Sequence, residues 1–289
     1  MRIVRSWWLV VLVALAVLSS SSGLGARSRS VAACAAQLAA VAEAAAHAEA
    51  LATKTSATKT LALPTEPTRL VLPEEAGIAI AYPPLAAAAG AAAGAAAPVA
   101  FGVVTMLHGM CGQPENACGF WQEAATERGW LFCPGGNVRC GGNHDWRGSG
   151  EEKAQHLDLA EQELRQRFGA AVAEEPGLLV GFSRGAFVAR DVVYARPGRY
   201  RGVVFIGAAM VPDPEQLKRS GIERVIFASG DYDGARPTMI KATAVAIRAG
   251  LEARFVSLGP IWHQLPRDMD RVMRDALAWV SAAPHRAAG

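Results

Sequence analysis

From Thr68 onward, continuous apolar runs alternate with stretches whose apolar positions recur every three or four residues. The short runs "RLVLP", "GIAIAYP", "VAFGVVTMLHG", "WLFCP", "GLLVGF", "RGVVFIGA", "ERVIFASG" and "EARFVSLG" predict strands. Between them, "PENACGFWQEAATERG" predicts one helix, opened by a proline and closed by a glycine. In "EEKAQHLDLAEQELRQRFG" the residues Leu157, Ala160, Leu164 and Phe168 fall on one helical face and predict a core-facing stripe. Further helices are predicted over "RGAFVARDVVYAR", "PDPEQLKRSG", "RPTMIKATAVAIRAG" and "PRDMDRVMRDALAWVSAA". The strands lack polar alternation, which predicts burial on both faces: an α/β fold with a mostly parallel central sheet flanked by helices. The first two strands have no helix between them and predict an antiparallel N-terminal edge.

The ends of the chain follow other patterns. "MRIVRS" is basic, residues 7–18 ("WWLVVLVALAVL") are purely apolar, and small polar residues follow. That order predicts a signal peptide over residues 1–26, cut after Gly23 or Gly25. The alternative is an uncleaved membrane anchor, but twelve apolar residues make a helix of only about 18 Å, against a hydrocarbon core of about 30 Å. Export to the periplasm or the extracellular space is therefore expected, with membrane contact only through the leader if it is retained. Residues 27–67 are rich in alanine, threonine and serine and read as a tether. The folded domain is expected over residues 68–283, with residues 284–289 as a tail. An Ala/Gly-rich stretch, 85–98, reads as a hairpin loop between two adjacent strands.

Cysteine usage fits an oxidising destination. Cys34 stands alone, whereas Cys111, Cys118, Cys133 and Cys140 cluster and predict two disulfides in any of three connectivities. Their gaps do not suit zinc. The net charge of +3 comes without a basic block interleaved with aromatics, so no nucleic-acid partner is expected.

In open sheets of this class, ligands bind beyond the carboxyl ends of the strands. The polar residues expected there are His108, the loop around His144, Ser183, the segment "GDYDGAR" and His263. Ser183 lies in "GFSRG", a G-x-S-x-G turn between a strand and a helix. Such a turn lifts the serine above the sheet and leaves no room for side chains at 181 and 185. An attacking serine needs a base, and the base needs an orienting carboxylate, in the chain order Ser, acid, His. His263 is the candidate base. Asp233 is the preferred acid because one more turn residue after the strand lets its side chain fold back. Asp231 is the alternative, and Asp213 a third candidate. An oxyanion hole needs two N–H donors. The backbone of Arg184 is one candidate, and that of Met110 or Cys111 the other. Trp146 and Trp262, with Cys111, are candidate pocket residues. His144 reads as a solvated loop residue, with polar pocket lining as the alternative, and the Arg184 side chain as half of a surface ion pair, with preference for an anionic substrate as the alternative.

The segments "TMLHGMCG", "GFSRGA", "ASGDYDGAR" and "GPIWHQLP" together resemble the α/β-hydrolase superfamily. The similarity is to its esterase branch: dienelactone hydrolases, phospholipase/carboxylesterases and polyhydroxybutyrate depolymerases. It spans residues 68–283. The chain departs from that pattern in the large Arg184 after the serine and in "IWH" before the base. With no long insertion between Gly207 and Glu223, no large cap domain is expected. The resemblance implies hydrolysis of a small-molecule or polymeric ester, or of a thioester, through an acyl-enzyme on Ser183. His263 would take the proton and Asp233 would hold the imidazole. It implies no metal or organic cofactor. The alternatives are a serine peptidase of the same fold and a non-catalytic envelope-associated binding protein.

Overall fold

A computed structural model describes residues 63–73, 77–86, 100 and 102–282. The leader, most of the tether, Cys34 and most of the Ala/Gly-rich stretch lie outside the described residues. Eight strands form one sheet: β1 (Thr68–Val71), β2 (Ile78–Tyr82), β3 (Val103–Leu107), β4 (Trp130–Pro134), β7 (Gly177–Phe182), β8 (Tyr200–Ile206), β9 (Arg224–Ser229) and β10 (Glu252–Ser257). Between β4 and β7 the chain makes a small separate hairpin of β5 (Val138–Cys140) and β6 (Asn143–Asp145). The order across the large sheet is β1-β2-β4-β3-β7-β8-β9-β10. β1 pairs antiparallel with β2, and β2 antiparallel with β4; every later pairing is parallel.

The uninterrupted apolar runs are explained by how the strands divide their side chains. In β8, Val203 and Phe205 enter one core cluster while Val204 and Ile206 enter another. In β9, Val225 and Phe227 face the first, and Ile226 and Ala228 the second. The first cluster is closed by α3 (Gly150–Phe168), α4 (Arg184–Ala195), α5 (Pro214–Arg219) and α6 (Arg236–Arg248). The second is closed by α1 (Pro114–Gly119), α2 (Gln122–Thr126) and α7 (Met269–Ser281). The predicted stripe on α3 is buried as expected. Leu157 joins the first cluster, while Ala160, Leu164 and Phe168 pack under the antiparallel edge with Trp130 and Phe132. The start of α3 is fixed by a capping box in which Ser149 accepts from the Glu152 amide and Glu152 accepts from the Ser149 amide.

Several expectations need correction. Strands β2 and β3 are not neighbours, because β4 lies between them, so the two adjacent strands expected there do not pair. The single helix expected over residues 114–129 is two short ones. The chain leaves helical geometry at Trp121 (φ −151, ψ 32). That break buries the Trp121 indole completely, with its N–H donating to the Ala117 carbonyl, while Cys118 bonds to Cys133 of β4. The loop around His144 contains the β5–β6 hairpin, closed by the pair Gly141–Gly142 with Gly141 at φ 60. The last helix begins at Met269, three residues after Pro266 of "LPRD". Of the three possible connectivities the structure has Cys111–Cys140 and Cys118–Cys133, with Cα separations of 5.4 and 6.4 Å. No helix among the described residues is long and apolar enough to cross a membrane.

Candidate active site

Ser183 joins the end of β7 to the start of α4 with φ 54 and ψ −118, a conformation that side-chain-bearing residues rarely adopt. The strain, about 1–3 kcal/mol for such a residue, is held in place by close packing on both sides. A Cβ at Gly181 would land on the Gly185 carbonyl, and one at Gly185 would land on the Leu107 carbonyl. The Ser183 amide donates to Ile206 of β8 at 2.8 Å, which ties the turn to the middle of the sheet.

His263 comes from the loop between β10 and α7, and Asp233 from the loop after β9. His263 Nδ1 lies 2.9 Å from Asp233 Oδ2, and its Nε2 lies 2.9 Å from Ser183 Oγ. A carboxylate can only accept, so Nδ1 carries the ring proton and Nε2 accepts the serine O–H. Asp233 is buried, and its other oxygen accepts from the Ala235 amide at 2.8 Å. The imidazole stacks on the Phe182 ring with centroids 5.2 Å apart. Gly207 makes room for the pair, since a Cβ there would sit 3.1 Å from the imidazole and 3.2 Å from Asp233 Oδ2. The other two acids are engaged elsewhere. Asp231 Oδ1 pairs with Arg236 at 2.8 Å and accepts from Ser257 Oγ at 2.6 Å. Asp213 caps α5 by accepting from the Glu215 amide.

The loop after β3 lies against the serine: a Cβ on Gly109 would be 3.4 Å from the Ser183 Cβ. Among the described residues, neither the Met110 nor the Arg184 amide has a protein hydrogen-bond partner. His108 fixes this loop from below. The Gly136 amide donates to its Nε2 at 2.9 Å, so Nδ1 bears the proton and donates to the Gly109 carbonyl at 2.7 Å. The Trp146 indole donates to the His108 carbonyl at 3.0 Å, and His156 Nε2 donates to the Gly135 carbonyl at 2.8 Å. His108 was legible only as a polar strand-end residue; its support of the loop depends on a contact with Gly136, 28 residues away.

Burial pushes both His108 and His156 below the ordinary histidine value of 6.5, with their bonds to Gly109 and Gly135 opposing. Both are therefore neutral in the fold near neutral pH. An unfolded chain takes up these protons as pH falls through about 6.5. Their contribution to stability is thus complete above that value and declines below it, until the folded-state values are reached. The melting temperature is expected to fall between about pH 7 and pH 5. His156→Gln, which keeps a donor for Gly135, should flatten that slope; an unchanged slope would remove His156 as a cause.

A cavity of about 360 Å³ adjoins Ser183. Its apolar wall is Met110, Trp146, Phe187 and Val188, and Lys153 and Arg184 bring positive charge to it. Trp146 belongs to both core and cavity, being 2 % exposed. Cys111 and Trp262 are not among the lining residues. Cys111 is turned into its disulfide, and Trp262, 70 % exposed, packs against Tyr232 instead. His144 lies against Gly77 and Gly135 rather than in solvent or in the cavity. Sequence reasoning missed Phe187 and Val188, although their spacing of three and four from Arg184 places them on its face of α4. Lys153, in the first turn of α3, gives no such signal.

No family model and no curated protein matches the chain. Solved structures do. The fluorophosphonate-binding serine hydrolase F of Staphylococcus aureus, solved with substrate bound, is 12% identical, with a TM-score of 0.56 over 75% of this chain and 98% of that one. An S-formylglutathione hydrolase from Staphylococcus aureus is 11% identical, with a TM-score of 0.53 over 75% of this chain and 98% of that one. An esterase from Pyrobaculum calidifontis is 12% identical, with a TM-score of 0.53 over 76% of this chain and 86% of that one. The similarity at these identities is one of fold, a mostly parallel central sheet flanked by helices. The chain has the α/β-hydrolase fold.

Proposed function

We propose that the protein is an exported serine hydrolase that cleaves carboxylic esters or thioesters through an acyl-enzyme intermediate. The observation that carries this reading is the hydrogen-bonded chain from Ser183 Oγ through His263 to the buried Asp233, both links 2.9 Å long. Ser183 Oγ attacks the carbonyl carbon while its proton passes to His263 Nε2. Asp233 holds the Nδ1 tautomer and stabilises the imidazolium. The N–H groups of Met110 and Arg184 receive the developing oxyanion. The imidazolium then protonates the leaving oxygen or sulfur, and the C–O or C–S bond breaks. Water, deprotonated by the same imidazole, releases the acid and restores the serine. The short link between β8 and α5, residues 207–213, leaves the site open, and the His263 side chain is 48% exposed. That openness favours esters presented on varied alcohols. Export is supported by the leader pattern and the two disulfides.

A panel of p-nitrophenyl esters against peptide nitroanilides tests the reaction class. Turnover of esters is expected, and activity confined to the anilides would overturn the reading. On the same panel Asp233→Asn should lower kcat by about 10⁴-fold, as expected when the imidazole loses its correct tautomer. Asp231→Asn should change it by less than about tenfold. The reverse ranking would move the acid to Asp231.

A further inference from the structure

We infer that the acyl group this enzyme takes is itself anionic: a short apolar spacer ending in a carboxylate, held by Arg184. The inference rests on the ester-hydrolase reading above and concerns which ester.

The direction of the cavity comes first. The leaving oxygen must face the imidazole that protonates it, so the leaving group lies on the His263 side of Ser183. The cavity lies on the other side, between the Met110 loop and α4, and His263 is not among its lining residues. The acyl portion is what remains to occupy it. Its volume suits a small acyl group.

The charge of the cavity is then decisive. A purely alkyl acyl pocket has no use for two cations. Lys153 sits 2.9 Å from Asp191, but that carboxylate is shared with Arg190 at 2.6 Å. Two cations against one carboxylate leave a positive potential at this wall. Arg184 is held more loosely. Its Nε stands 3.6 Å from Asp145 and its Nη1 3.5 Å from the Trp146 carbonyl, whereas charge-assisted bonds close to about 2.7–2.9 Å. Asp145 Oδ1 is buried and makes no hydrogen bond. Asp145 thus aims the guanidinium by charge without using up its donors. Nη2 has no partner among the described residues. A planar donor pair beside apolar walls suits a carboxylate on an alkyl chain, because the chain lies on the walls while the fork takes both carboxylate oxygens.

The test is hydrolysis followed by pH-stat of monomethyl glutarate and monomethyl adipate against methyl pentanoate and methyl hexanoate. The wild type should show kcat/KM about tenfold or more higher for the anionic esters. Arg184→Gln should lower the anionic-to-neutral ratio by about tenfold, and Arg184→Lys, which keeps charge but not the planar fork, by less. High salt should shrink the ratio in the wild type. A wild type that hydrolyses the neutral esters equally well or better overturns the inference alone. So does an Arg184→Gln variant that lowers both classes alike. If neither class nor p-nitrophenyl butyrate is turned over, the ester-hydrolase reading falls and takes the inference with it.

Discussion

Replacing Ser183 with alanine is expected to lower ester turnover by about four to six orders of magnitude and to abolish labelling by a fluorophosphonate. The side chain removed carries the oxygen that attacks the carbonyl carbon in the proposed mechanism. Its oxygen lies 2.9 Å from His263 Nε2, the base of the proposed mechanism, and its backbone holds a strained φ of 54 fixed by the close packing at Gly181 and Gly185. In the labelling reaction the serine oxygen attacks phosphorus and fluoride departs, so the adduct needs both the nucleophile and its base. His263→Ala should therefore cost about as much as the serine variant, and the double variant little more, because the two act as a unit. Wild-type protein that never labels would mark a non-catalytic binding protein on this fold. Labelling that survives in Ser183→Ala would mean a different nucleophile.

Gly185→Ala should cost about 4 kcal/mol or more and remove activity in whatever fraction still folds. The added methyl would overlap the Leu107 carbonyl and press on that of His108. These are backbone atoms of the β3 end, not side chains that can swing aside. Relief requires α4 to move away from the sheet, which carries Arg184 away from the Met110 loop. A fall of about 10 °C in melting temperature follows for a domain of this size. Gly142→Ala is the control, since its Cβ would meet nothing within 4 Å, and should stay within about 0.5 kcal/mol of the wild type. Equal melting of the two variants would show that the elbow tolerates a side chain.

Much of this arrangement is legible in the residues alone, and the parts that are not share a physical cause. The central strands are readable because burial on both faces demands unbroken apolar runs, as in β8 and β9. Ser183 is readable because a tight strand–turn–helix leaves two positions that only glycine fills. The hairpin of β5 and β6 is not, because each strand has three residues and carries no apolar periodicity. The break at Trp121 goes with burial of its indole beside the Cys118–Cys133 disulfide, and nothing local announces it. The order of β2, β4 and β3 is a choice among similarly apolar edges, made by pairing rather than composition. Asp231 and Asp233 differ in sequence only by position in one turn. In the fold, Asp231 meets Arg236 and Ser257 while Asp233 meets the imidazole. Lys153 reaches the cavity only because α3 packs against α4.

The aromatic ring under the imidazole has a mechanical consequence. Phe182 is joined by a peptide bond to Ser183, so the ring on which the imidazole rests and the serine it meets belong to the same turn. A displacement of the turn therefore shifts the ring and the serine in the same direction. One turn thus carries both contacts that hold the imidazole beside a serine 80 positions away in the chain.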